Sequence, residues 1–228
     1  MQAVILAAGR GTRMNHLTNE TPKPMFKVAG KNLIEHKLDA MPPEIDEVII
    51  VVGYLGDKIK DYFGSQHKGR KISYVRQGDL KGTGSALWLV QSLLKDRFIV
   101  MMGDDIYREE DIKRCLDNSW SILVQKSDDA KIGAKVIVGS RGEIRDILEK
   151  TPVKVGDFNN AGMYVLGKEI FDYPLVQIQN GEYGLPQTML KAAKDFEIKI
   201  VETSNWYQIT SPEDVERVDK ILMAQASV

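Results

Sequence analysis

Ala3-Val4-Ile5-Leu6, followed at once by Ala7-Ala8-Gly9-Arg10-Gly11-Thr12-Arg13, is the stretch from which the rest of the chain is read. Four apolar residues closed by a glycine cluster form the pattern of a strand buried on both faces; a strand with one wet face would alternate polar and apolar residues. Three similar runs follow, Val48 to Val52, Ile72 to Val75 and Phe98 to Met102. Between them lie segments of helical spacing: Leu33, Ile34, Lys37, Leu38 and Met41; then Ile59, Tyr62 and Phe63; then Ala86, Leu87, Val90, Leu93 and Leu94. Strand and helix alternate at roughly 25-residue intervals, which predicts an α/β fold with a doubly wound, mostly parallel sheet over residues 1 to about 105.

After Asp105 the rhythm changes. The pattern predicts a helix from Glu109 to Leu116, a strand from Ser121 to Gln125, and a hairpin of Ile132 to Val138 with Ile144 to Leu148 around Ser140-Arg141-Gly142. Strands at Gly162 to Leu166 and Ile198 to Glu202 and helices at Pro186 to Ala193 and Pro212 to Ala224 complete the reading. Ser211 is an N-cap candidate, with Asp214 where a carboxylate suits the helix dipole. No repeat, low-complexity tract or linker divides the chain, so one domain is expected.

The composition narrows the functional classes. The 228 residues are 43% hydrophobic and 28% charged, as in globular proteins, and exceed what one small core needs. Lys and Arg number 31 against 32 Asp and Glu, leaving a net charge of -1 and no overall field for a nucleic acid or an anionic membrane. Neither is an expected partner, and any phosphate binding must be local. The single cysteine, Cys115, excludes an intrachain disulfide, has no metal-ligand spacing around it, and reads as an inert helix residue of a reducing compartment. The start has no basic segment of a signal peptide and no run approaches the ~18 residues of a membrane span, so a cytoplasmic protein is expected.

In open α/β sheets ligands sit beyond the carboxyl ends of the strands. There, Gly9 and Gly11 let backbone N–H groups approach an anion, and Arg10 and Arg13 add charge beside them. Two phosphate templates fail: no Gly-x-x-x-x-Gly-Lys-Ser/Thr occurs, and Met14 stands where a dinucleotide fingerprint needs its third glycine. The second strand ends in Val52-Gly53-Tyr54 rather than in an acid for a ribose, against NAD or FAD. A turn that merely connects strand to loop is the plain alternative. Thr21-Pro22-Lys23-Pro24 holds Lys23 between two prolines, which predicts an extended segment with a pinned lysine; a solvated lysine is the alternative there.

Taken together, Leu6-Ala7-Ala8-Gly9-Arg10-Gly11-Thr12-Arg13-Met14, Thr21-Pro22-Lys23-Pro24-Met25, Gln77 with Gly82-Thr83-Gly84, and Gly103-Asp104 resemble the sugar-1-phosphate nucleotidyltransferases. Leu148-Glu149-Lys150 and Asn159-Asn160-Ala161-Gly162-Met163-Tyr164 continue the resemblance in order, over nearly the whole chain. It implies a Rossmann-like, GT-A-like single domain, with residues 1–105 as the nucleotide half and 106–228 as the sugar-phosphate half. The implied reaction is in-line attack of a sugar-1-phosphate oxygen on the α-phosphorus of a nucleoside triphosphate, with loss of pyrophosphate and no essential acid–base residue.

By the resemblance, the loop Gly9, Arg10, Gly11, Thr12 and Arg13 wraps the triphosphate. Arg13 steadies the transition state, Lys23 bridges the α-phosphate and the sugar phosphate, and Asp104 holds Mg²⁺. Backbone groups of Leu6, Ala7 and Ala8 with Gln77, Gly82 and Thr83 would read a pyrimidine, and the double-alanine form looks more like the uridylyl than the thymidylyl branch. Gly133, Glu149 and Asn160 fall to the sugar hydroxyls and Lys150 to the sugar phosphate. Glu149 and Lys150 adjoin on a strand, so only one reaches the pocket unless the chain bends there.

The chain departs from the family where Trp206-Tyr207-Gln208-Ile209-Thr210-Ser211-Pro212 puts Gln208 in place of a metal-binding acid, and where Gln187 replaces a frequent Asp. An amide oxygen can ligate Mg²⁺ but brings no charge, so another acid such as Asp105 could assist. Three readings stay open: a sugar-1-phosphate enzyme using UTP or dTTP, a cytidylyltransferase for phosphocholine or another alcohol phosphate, and a lapsed nucleotide-binding subunit. A homo-oligomer is open as well. The chain stops soon after its last helix, so the acyltransferase domain of bifunctional relatives, and acetyl transfer, are not expected.

Overall fold

The computed structural model describes residues 1–203 and 205–226. The first buried run forms β1, Gln2–Ala7, and the next helix, strand and helix are α1, Leu33–Ala40, β2, Glu47–Val52, and α2, Gly56–Phe63. They are followed by β3, Arg70–Arg76, α3, Gly82–Trp88, and β4, Phe98–Met102. β4, β1, β2 and β3 lie side by side in that order, all parallel, with Ala3 beside Val48 on one flank and Ile99 on the other. This is the expected doubly wound sheet.

Alternate residues of β1 feed two cores. Ala3, Ile5 and Ala7 pack with Ile34 and Leu38 of α1, Ile59 and Phe63 of α2, and Ile112 and Cys115 of α4, Glu109–Leu116, after the short β5, Asp105–Ile106. Val4, Leu6 and Ala8 pack on the other face against Ala86 and Leu87 of α3. Both faces are dry, which is why these strands read as unbroken apolar runs.

The second half extends the same sheet. β6, Ser121–Lys126, β7, Lys131–Val138, β8, Ile144–Val153, and β9, Phe158–Leu166, are followed by α5, Leu185–Ala192, and β10, Lys199–Thr203. The two-residue β11, Tyr207–Gln208, precedes α6, Pro212–Ala226. β9 lies antiparallel to β4 through Met163–Leu166, to β6 on its other flank, and to β7 through its first residues. A single ten-stranded sheet therefore runs through both halves, with β8 at one edge. Among the described residues, no helix is long and apolar enough to cross a membrane.

Three local expectations need correction. The third helical segment stops at Trp88, and Gln91–Leu93 form a 3-10 turn with bonds such as Leu93 N–H to Val90 O. Three residues per turn in place of 3.6 rotates the face, so Val90 and Leu94 stay buried while Leu93 is 44% exposed. Tyr62 also lies outside the core, where its hydroxyl donates to Glu35. β8 and β9 are each longer than their apolar runs, because polar residues continue both strands into the site.

α6 starts as expected. Asp214 Oδ2 accepts the N–H groups of Thr210 and Ser211, and its own N–H donates to Ser211 Oγ. Burial raises the Asp214 carboxyl, but the Thr210 bonds and Arg217 outweigh it and leave it below the usual carboxylate range. Asp214→Ala should lower unfolding free energy in urea by about 1–2 kcal/mol at pH 7. A depressed carboxyl stabilises above its unfolded pKa and loses that effect as pH falls through its folded one, so the wild-type advantage should shrink below about pH 4.

Candidate functional site

Three loops meet at the carboxyl ends of β1, β2 and β4. Gly103 N–H donates to Leu6 O at 2.8 Å, and Tyr54 N–H to Ala8 O at 3.3 Å. A Cβ on Gly53 would stand 2.5 Å from Ala8 O, and one on Gly103 2.7 Å from Leu6 O, so only glycine permits this approach. The side chains of Leu6, Ala7 and Ala8 are buried in the cores, while Gly9 and Arg10 emerge at the surface. The Arg10 guanidinium lies 5.7 Å from the centre of the Tyr54 ring. Gly11, at φ +65°, turns the chain into the 3-10 helix Thr12–Asn19. Arg13 is exposed and makes no ion pair with the described residues.

Lys23 and Asp104 meet here, 81 residues apart in sequence, through an ion pair of 2.5 Å. Lys23 opens one 3-10 turn, Lys23–Met25, and not the extended segment expected. The reason lies in Pro24: a first turn spends no N–H at that position, so Met25 N–H closes it onto Pro22 O. The Lys23 stem packs against Gly11, where a Cβ would be 2.9 Å from Lys23 Cβ. Burial raises the Asp104 carboxyl, but the charges of Lys23 and Lys37 more than reverse this and hold it below the usual range.

Beneath this pair is a group that sequence reasoning placed only as a core-facing position. Lys37 of α1 is fully buried, and its ammonium donates to Leu33 O, Gly103 O and Asp105 O. Burial pulls its pKa down to about 8, against the opposing pull of Asp105 and Asp104. Asp105 is pushed well above the carboxylate range by burial and by the neighbouring Asp104 charge. The Tyr107 hydroxyl sits 3.0 Å from Asp105 Oδ2 and from the carbonyls of Ala161 and Gly162.

Asp105 leads from the ion pair to a cavity of about 160 Å³ whose walls include Glu149, Asn160, Tyr164 and Trp206. β5 and β11 pair antiparallel, setting Gln208 opposite Asp105 and bringing the chain's last third to this wall. Asp105 Oδ1 and Trp206 Nε1 are buried without a hydrogen-bond partner among the described residues. Asn160 is tied at both ends: its amide donates to Tyr164 Oη and its oxygen accepts Gly162 N–H. The expected conflict at Glu149 and Lys150 is removed by a bulge. Gly133 faces Thr151 and Lys135 faces Leu148, so two residues of β8 oppose Ala134 alone, with Lys150 at φ +50°. Both side chains are exposed, and Glu149 is the one that lines the cavity.

The expected residues thus fall into two neighbouring places. Gly11, Lys23 and Asp104 come together at one, and Asp105, Glu149, Asn160 and Gln208 at the other. Gln77 is buried at the end of β3, its N–H on Val52 O and its amide 3.5 Å from Gly82 O. Thr83, expected beside the base, lines the cavity, and its hydroxyl accepts Leu185 N–H. Gly133 packs against Asn159, with Ala134 forming the wall. Trp206 and Tyr164 carry no signal of their own in the sequence; each falls inside a longer motif. Among the described residues, no group of three or more His, Cys, Asp or Glu could hold a metal. The chemistry of Asp104 suits a hard cation shared with substrate oxygens, the common arrangement for magnesium.

Residues 2–220 match the family model described as nucleotidyl transferase. Among curated relatives, a bifunctional GlmU protein of Methanocaldococcus jannaschii is 29% identical over 228 residues, covering 98% of this chain and 54% of that protein. The GlmU protein of Methanococcus maripaludis strain C5 is 32% identical over 220 residues, 94% of this chain and 53% of its own length. The chain thus spans about half the length of these relatives. A UTP–glucose-1-phosphate uridylyltransferase, AglF of Haloferax volcanii, is 29% identical over 239 residues, covering 100% of this chain and 98% of AglF. The fold is also that of a Bacillus anthracis crystal structure described as a glucose-1-phosphate thymidylyltransferase, with a TM-score of 0.84 at 24% identity over 97% of this chain and 94% of the other. On the match over residues 2–220, the chain belongs to the nucleotidyl transferase family.

Proposed function

We propose that the protein joins a pyrimidine nucleoside triphosphate, UTP or dTTP, to a sugar-1-phosphate in the cytoplasm, releasing pyrophosphate and a nucleotide sugar. Residues 1–105 serve the nucleotide and residues 106–228 the sugar phosphate. The observation that carries this reading is the Lys23–Asp104 pair at the glycine loop, one residue from a cavity lined by Glu149 and Asn160. A phosphate clamp beside a polar pocket fits a reaction whose barrier is alignment and charge crowding.

In this reading the backbone from Gly9 to Arg13 receives the triphosphate, and the Arg10 and Arg13 side chains, both at the surface, fold onto it. Lys23 exchanges Asp104 for the α-phosphate and the sugar-phosphate oxygen, drawing nucleophile and phosphorus together. Asp104, freed of that partner, would hold Mg²⁺, with the Gln208 amide oxygen as a neutral second donor. When bound, Mg²⁺ supplies charge neutralisation on phosphate oxygens. The Gln77 amide, able both to donate and to accept, reads the imide edge of the pyrimidine with Leu6, Ala7, Ala8 and Gly82 around it, while Thr83 closes the neighbouring cavity. The name of the AglF relative supports UTP as the donor and glucose-1-phosphate as an acceptor to try first.

Glu149, Asn160 and the Gly133–Ala134 backbone take the sugar hydroxyls, with Lys150 toward the sugar phosphate. The unpartnered Asp105 Oδ1 and Trp206 Nε1 favour a hydroxyl-bearing guest over a quaternary ammonium, since a hydroxyl both accepts and donates and a quaternary ammonium does neither.

A matrix of UTP, dTTP and CTP against glucose-1-phosphate, N-acetylglucosamine-1-phosphate and phosphocholine, read by pyrophosphate release with and without Mg²⁺, tests the reading. Release with a sugar phosphate and UTP or dTTP is expected. Release only with CTP and phosphocholine, or nucleotide binding with no release, refutes it. Arg13→Ala should lower turnover by about 10²-fold or more at unchanged thermal stability. Gln208→Asp adds a charged ligand and should lower the Mg²⁺ concentration for half-maximal activity severalfold, on the order of 3–10-fold.

A further inference from the structure

Lys37 occupies a place where helical periodicity calls for an apolar side chain, on the α1 face with Leu33, Ile34 and Leu38, and its side chain has no exposed surface. A buried ammonium is expensive where a leucine or methionine would pack without that penalty. Its three protons match three carbonyl oxygens: Leu33 O one turn back in its own helix at 3.1 Å, Gly103 O at 3.1 Å, and Asp105 O. Two of the three acceptors flank Asp104 and lie 66 and 68 residues away along the chain. The carbonyl between them, Asp104 O, is held by Ile209 N–H at 3.0 Å. Gly103 and Asp104 form the turn between β4 and β5. All three successive carbonyls of that turn, from Gly103 to Asp105, are therefore held, two by the ammonium and one by an amide.

We infer that Lys37 is a positioning residue for this site: by holding Gly103 O and Asp105 O, it fixes the direction in which Asp104 presents its carboxylate to Lys23 and to a divalent cation. The inference rests on the proposed role of Asp104 as cation ligand. Lys37 touches no substrate in this arrangement. It acts through the peptide frame, as outer-shell partners of metal ligands generally do.

The test uses Lys37→Met, which keeps the stem length and removes the donors, and Lys37→Gln, which keeps two N–H groups. Cation binding is read by Mn²⁺ paramagnetic resonance or calorimetry on the whole protein, and UTP binding in EDTA is read alongside it. Lys37→Met is expected to weaken Mn²⁺ by about 10–100-fold, with metal-free UTP affinity within about threefold of wild type and Lys37→Gln in between. Folded Lys37→Met with unchanged Mn²⁺ affinity overturns the inference. So does an equal loss of Mn²⁺ and UTP affinity, or failure of both variants to fold, because each would mark Lys37 as scaffold alone. A wild type that releases no pyrophosphate with any substrate pair, yet loses Mn²⁺ affinity in Lys37→Met, overturns the proposed reaction and leaves this inference standing. Unchanged Mn²⁺ affinity in Asp104→Asn overturns both.

Discussion

The approach of Gly53 and Gly103 to the end of β1 is the constraint on which the rest of the site depends. With backbone oxygens of Ala8 and Leu6 standing where a Cβ would go, the loops after β1, β2 and β4 come together with no side chain between them. Parallel strands always end on the same edge of a sheet, but that alone leaves their loops separated by the width of the side chains on them. The missing methyl groups let residues from positions 9 to 13, 53 to 54 and 103 to 105 share one surface. The Lys23–Asp104 contact follows from that closeness, since Gly11 seats the lysine stem and Gly103 seats the aspartate.

Two cations and two acids, Lys23, Lys37, Asp104 and Asp105, occupy this junction, and their burial divides their roles. Lys23 and Asp104 pair side chain to side chain, with Asp104 partly open to solvent, and the proposed exchange for phosphate and cation rests on that exposure. Lys37 and Asp105 are enclosed, and their partners are carbonyls and a tyrosine hydroxyl. The outer pair is suited to exchange and the inner pair to holding the backbone still. Such an arrangement is costly by comparison with an apolar core, in keeping with polar groups retained where geometry matters.

Most of the glycine-loop side of the site is legible because it depends on local pattern. The run Ala3 to Leu6 and the glycines behind it carry their meaning within a few residues, the prolines mark Lys23 as held though in a 3-10 turn in place of an extended segment, and the parallel direction of β1, β2, β3 and β4 follows from the alternation of strand and helix. The cavity side is less so. The bulge at Lys150 arises from the register of β8 on β7, which no short stretch encodes, and it alone decides that Glu149 turns into the cavity. Trp206 reaches the wall because β11 pairs with β5, about a hundred residues away. Lys37 was visible as a lysine at an apolar phase, but its purpose lies in carbonyls that only tertiary structure brings near. An apolar spacing does not distinguish 3.6 from 3.0 residues per turn, so the pattern runs on through Leu93 while the helix itself ends at Trp88.

The same irregularity in β8 has a second consequence, for the molecule among its neighbours. β8 is the outermost strand of a ten-stranded sheet and runs for ten residues, Ile144–Val153, long enough to template pairing with another chain. Breaking its ladder midway, with Arg145, Asp146, Glu149 and Lys150 all exposed along it, leaves no long flat edge for a second sheet to join. A kink that sets one carboxylate at the cavity thereby also interrupts the strand edge, one of the devices by which natural sheets discourage edge-to-edge joining.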